Sequence, residues 1–226
     1  MTDTLRVTLE AGPKGKKVVA VAPDWPGLER GAKTEESAVA TLEAYLPRYA
    51  KVVKLAGMAA TFPARPKIQV AERYTGTGST DFWGISFAFS KFDRAAMSRE
   101  ELERELKLMQ GCWKTFDAVR TRVSPQLRPG PRGGGRERDE IVRHVEAVEQ
   151  DWATKVEVRS TDGAVVLDEA GLMAYRDAYS TAIRSFHAAG KPARTWPLRF
   201  LIRHTAFHTM DHTWEMEDRD LTPSAG

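Results

Sequence analysis

The sequence predicts an α+β chain: a small N-terminal α/β module over residues 1–92, then a four-helix bundle over residues 93–226. Three observations carry this. Short apolar runs punctuated by Pro and Gly occupy the front of the chain. From Ser98 onward the pattern changes to four long stretches of helical periodicity. The last of these holds three of the five histidines, His204, His208 and His212, at spacings of four.

Composition narrows the class. A chain of 226 residues with 42% hydrophobic and 29% charged residues is an ordinary globular protein. A net charge of +3 is small against 34 basic and 31 acidic residues, so no nucleic-acid partner is expected. Cys112 stands alone, which excludes a disulfide framework and a Cys-based zinc site. No apolar run approaches the ~20 residues of a membrane span, and MTDTLRVTLE lacks a signal-peptide core. The expectation is a cytoplasmic protein with no membrane partner.

Residues 5–10 and 17–22 read as two short strands around the turn-rich AGPKGK. Pro23-Asp24-Trp25-Pro26-Gly27 then breaks the chain. Thr34 is placed to cap a helix, with Ser37 where a capping box prefers Glu. Helical spacing runs from Glu35 to about Leu55, and Pro47 predicts a kink or two shorter helices. Residues 67–74 alternate like a strand, and Trp83–Phe89 reads as a further strand or a lining loop.

Ser98 and Glu101 form a capping box ahead of a helix that runs to about Arg122. Ser124–Gly135 is too rich in Pro and Gly for helix and predicts a crossover. A second helix spans Arg136–Val156, with His144 bordering its apolar face. Arg159–Val166 is a loop, and Asp168–Ala188 a third helix with His187 at its C-terminal end, near the helix dipole. The fourth helix spans Trp196–Arg219, and the tail LTPSAG is expected to fray.

On that fourth helix a spacing of four advances the face by only ~40°, so the three imidazoles share a stripe. Such a stripe on a largely apolar helix is costly to bury unless something binds it. Solvated or hydrogen-bonded core histidines are the alternatives, because helical pairs of histidine are common. His144 from the second helix makes a three-nitrogen set with His208 and His212; His204 is the alternative ligand or a substrate-facing group. Three protein ligands leave a coordination position open, as catalytic metal sites require. Asp211 and Glu215 lie in the same arc, where they orient imidazole N–H groups, serve as a base, or pair with Arg203 or Arg219. Zinc suits tetrahedral nitrogen ligation, and nickel, iron and manganese also accept imidazole. Trp83, Phe87 and Trp113 are pocket-lining or core aromatics.

Two resemblances sharpen this. Val19, Val21, Pro23-Asp24, Pro26-Gly27, Gly31 and Thr34 through Ala38 resemble a HicB-like module over the front of the chain. Residues 98–219 resemble the DinB/YfiT-like metalloenzymes in their four-helix plan, the single histidine on helix two and FHTMDHTWEMEDR on helix four. That resemblance implies His144, His208 and His212 as ligands. It also implies a divalent-metal-dependent enzyme of thiol S-transferase type, with a low-molecular-weight thiol such as bacillithiol, mycothiol or glutathione as cosubstrate. The expected partner is a small-molecule substrate, with a homodimer left open. A metal-assisted hydrolase is one alternative. The other is a non-catalytic, metal-stabilised binding protein whose front module recruits a partner.

Overall fold

A computed structural model describes residues 4–63, 65–130, 134–160 and 167–222. Strands β1 (Thr4–Ala11), β2 (Val18–Val21), β3 (Glu29–Ala32) and β4 (Lys67–Thr75) form one sheet in the order β3-β2-β1-β4. Neighbours are antiparallel except β1 and β4, which run parallel. A parallel pair needs a crossover, and the helices α1 (Glu35–Ala44) and α2 (Leu46–Leu55) lie in it. The break predicted by Pro47 falls at Tyr45, so Pro47 sits in the first turn of α2, where its missing N–H costs nothing. Thr34 caps α1 with Ser37 as its partner: each backbone N–H donates to the other's hydroxyl, at 3.0 and 3.2 Å.

The strand β3 carries no readable signal, since Glu-Arg-Gly-Ala neither alternates nor favours a sheet. It is a strand because the Pro23–Gly27 break turns the chain back onto β2, with Ala22 N–H donating to Leu28 O at 3.0 Å. Gly27 adopts φ +97°, and a Cβ there would meet Cys112 Sγ at 2.9 Å. The turn therefore sits directly on the helical half.

Of the two readings of Trp83–Phe89, the strand is corrected. Trp83 ends a short helix, α3 (Gly78–Trp83), and the chain then runs as a loop to Ser90. Glu10 is the physical reason. Its buried carboxylate accepts from Phe87 N–H, Ala88 N–H, Thr80 Oγ1 and Ser86 Oγ, taking the backbone donors a strand would offer to a neighbour.

After α4 (Lys91–Arg94) come four long helices, α5 (Arg99–Arg122), α6 (Arg138–Ala153), α7 (Glu169–Ala188) and α8 (Leu198–Arg219). Ser98 and Glu101 form the predicted capping box of α5. Glu137 and Glu140 cap α6, and Asp168 caps α7. His187 Nε2 lies 2.7 Å from the Met97 carbonyl, tying the end of α7 to the entry of α5. Arg176 of α7 pairs with Glu149 of α6 and Asp117 of α5, and Tyr179 reaches Thr205 of α8. The crossover after α5 docks on the end of α8: Leu127 bridges to Asp220, and Arg128 N–H donates to Arg219 O. Residues 131–133 of that crossover, 161–166 of the next loop and 223–226 of the tail lie outside the described residues.

The result is a mixed α+β fold. Its main apolar cluster joins both halves, with Leu5, Val7 and Leu9 of β1 and Tyr49 and Val52 of α2 alongside Met109, Tyr179 and Ile202 from the long helices. A second cluster, Phe116, Val119, Ile141, Val145 and Met216, seats α6 against α5 and α8. Among the described residues no helix is long and apolar enough to cross a membrane.

Candidate metal centre

The second apolar cluster places His144. Val145 and Ile141 are buried in it, so their neighbour on α6 is held facing α8 at the cluster's edge. There His144 meets His208 and His212, and one ligand atom from each of the three lies within 4.8 Å of the others. Nε2 of His144 is 3.2 Å from Nε2 of His208. The ring centroids stand 4.7–5.0 Å apart, which makes a compact triangle.

Burial sets the charge of these rings. It pushes His144 down to about 4, with the charges of His212 and Arg136 adding to the effect. His208 lies well below the ordinary histidine value for the same leading reason, burial, reinforced by His212 and His144. Both are therefore neutral near pH 7, the form that binds a metal ion.

Glu215 supplies orientation. Its Oε2 accepts from Nδ1 of His212 at 2.7 Å, and its Oε1 accepts from Nη1 of Arg219 at 2.7 Å. The hydrogen bond from His212 is the main reason the Glu215 carboxyl lies below its ordinary value. With the proton on Nδ1, the lone pair of His212 sits on Nε2, the side a ligand must present. The two sequence-based readings of Glu215, imidazole partner and salt bridge to Arg219, hold simultaneously.

Asp211 takes a different partner. It pairs with Nη1 of Arg30 on β3 at 3.1 Å and is 39% exposed. Among the described residues it hydrogen-bonds to no imidazole. Arg30 in turn lies over the rings of Tyr45 and Trp214, at 4.2 and 5.0 Å, which ties β3 to α8. Arg203, offered as a partner for the acidic pair, instead lies buried between Asp93 and Glu29.

His204 is kept apart from the triangle. It is buried among Phe87, Trp152 and Phe200, with centroids at 4.7–4.9 Å, and its Nδ1 has no hydrogen-bond partner. Phe87 thus lines the site's surroundings, Trp113 is core, and Trp83 is 64% exposed. Sequence reasoning missed the clamp on Arg219, whose Nε donates to Arg128 O at 2.6 Å. It also missed Gly135, where a Cβ would stand 2.6 Å from Arg219 Nη2. The spacing of Glu215 and Arg219 was readable; the loop that embraces them was not.

The donor set fits a divalent ion. Two imidazole nitrogens at ~2.05 Å from a shared tetrahedral ion stand roughly 3.3 Å apart, close to the 3.2 Å between His144 and His208. The third ring is already turned by Glu215 to offer its nitrogen. Comparison of the chain with protein-family models, curated proteins and solved structures finds no match.

Proposed function

We propose that this chain is a divalent-metal-dependent enzyme of the DinB-like class, with thiol S-transferase-like chemistry at His144, His208 and His212. In this reading α5–α8 form a DinB-like four-helix bundle and the sheet module is tied to α8 through Arg30 and Asp211. One observation carries the proposal: three imidazoles from two helices converge within 4.8 Å, two of them neutralised by burial.

Zinc is the first candidate, with nickel, iron and manganese compatible with the same donors. A divalent ion at such a site supplies Lewis-acid activation, lowering the pKa of a bound thiol or water. The chain's own residues do the rest. Glu215 keeps the proton of His212 on Nδ1, and Arg219 holds Glu215 in place. Asp211, on the same arc of α8 and partly exposed, is the candidate base for a substrate proton. The alternative, a metal used only to brace a binding protein, calls for a fourth protein ligand. Among the described residues the group has three members, which favours the enzyme.

Metal content of protein purified without a histidine tag, for wild type and His208→Ala, is the test. About one equivalent of a transition metal, lost in the variant, is the expected result. Metal-free wild type that gains no stability from zinc, nickel or manganese would overturn the reading.

A further inference from the structure

We infer that the exposed aromatic pair Phe82 and Trp83, with Lys14 and Lys16 beside it, docks this chain on the surface of an anionic lipid bilayer.

Exposure singles the pair out. Among the described residues five large apolar side chains are exposed, and Phe82 (65%) and Trp83 (64%) are the two that adjoin in sequence. Their rings meet edge to face, with centroids 4.4 Å apart. Two aromatic rings left together in water forgo the stabilisation of burial, and an apolar patch of this kind marks a contact surface.

The pair is mounted on a network of bonds. Thr77 and Thr80 form the capping box of α3. The Asp81 carboxylate accepts from Lys14 N–H at 2.7 Å and from Lys16 N–H at 2.8 Å. Lys17 Nζ donates to the Phe82 carbonyl at 2.8 Å. Gly84 then ends α3 at φ +75°, and Gly31 of β3 packs on its carbonyl with no room for a Cβ.

The same bonds bring positive charge to the rings. Lys14, Lys16 and Lys17 belong to the turn between β1 and β2, which Asp81 fastens to α3 one residue before Phe82. Lys14 and Lys16 are exposed. The two acids bonded to this segment face inward: Asp81 is buried against the two lysine N–H groups, and buried Glu10 is taken up by Thr80, Ser86 and the backbone of Phe87 and Ala88. The surface therefore shows aromatic rings flanked by cations. An anionic bilayer satisfies both halves at once, since its headgroups attract lysine and its interface favours tryptophan. The contact is with a surface and involves no span, because no described helix is long and apolar enough to cross a membrane.

Cosedimentation of the full chain with vesicles tests this, using phosphatidylcholine alone and phosphatidylcholine with about one-third phosphatidylglycerol. The chain is expected to pellet with the mixed vesicles, to stay in solution with the neutral ones, and to be released by high salt. Lys14→Gln with Lys16→Gln keeps the backbone bonds to Asp81 and should weaken binding about 25-fold, roughly fivefold per lysine. Phe82→Ser with Trp83→Ser should weaken it at least about tenfold. Brominated lipid should quench wild-type tryptophan fluorescence, and Trp83→Phe should bind while losing that quenching. Failure to pellet with anionic vesicles, or pelleting that survives both double variants, would overturn the proposal. So would a wild-type dimer that Phe82→Ser with Trp83→Ser turns into a monomer, because a second copy would then cover the rings.

Discussion

Nε2 of His144 and Nε2 of His208 face each other across 3.2 Å, from two helices and from positions 64 residues apart in the chain. Both rings are neutral by burial, the form in which an imidazole nitrogen can ligate an ion. A metal bound there stabilises only the folded state, by about 2.7 kcal/mol at a hundredfold excess over Kd. Wild type should therefore melt several degrees higher with added zinc. His144→Ala and His208→Ala should each melt at a temperature independent of zinc, measured by calorimetry with and without the ion.

Glu215 would act on a bound metal through His212. Replacing it with Gln keeps the volume but removes the charge that holds the Nδ1 proton. Groups of this kind typically change metal affinity by about 10–100-fold. Glu215→Gln should show a loss in that range by chelator competition, with the fold intact by circular dichroism. Unchanged affinity would show that His212 is oriented by packing alone.

Arg203 holds the two halves of the chain together electrostatically. Its buried guanidinium joins Asp93 through Nε at 2.9 Å and Glu29 of β3 through Nη1. Arg203→Met leaves two buried carboxyls without their cation, and breaking such a pair from one side costs about 3–5 kcal/mol. A urea titration should show a lower midpoint with an unchanged slope. A midpoint equal to wild type would mean that water or protonation of Glu29 replaces the arginine.

Glu105 predicts a pH dependence away from the metal site. Burial raises it from 4.5 to about 7, against the opposing charge of Arg199, whose Nε lies 2.8 Å away. Between those values the folded state holds a proton that the unfolded state has released. Stability therefore falls as pH rises from about 4.5 to about 7, by on the order of a few kcal/mol, and is level above that. Glu105→Gln should flatten this part of the curve in denaturant titrations at several pH values. A slope that survives the substitution would assign it to another group.

Much of the fold is local and so was legible. The capping boxes at Thr34 and Ser98, the break near Pro47 and the four long helices all follow from residues within a few positions of one another. Where pairing is remote, the signal vanishes. β3 has no strand pattern of its own and exists through β2, and Trp83–Phe89 forms no strand because Glu10, over 70 residues away, takes its donors.

The candidate site divides the same way. By itself the sequence determined that His204, His208 and His212 share a helical face and that Glu215 and Arg219 are one turn apart, since helical geometry fixes neighbours at three and four positions. Only the tertiary structure decided that His144 joins His208 and His212, and that His204 is enclosed by aromatic rings instead. It alone paired Asp211 with Arg30 from the sheet and brought Gly135 to the Arg219 clamp. The reason is that a helix periodicity specifies which face a side chain occupies, whereas its partner depends on how separate elements bury their apolar surfaces together.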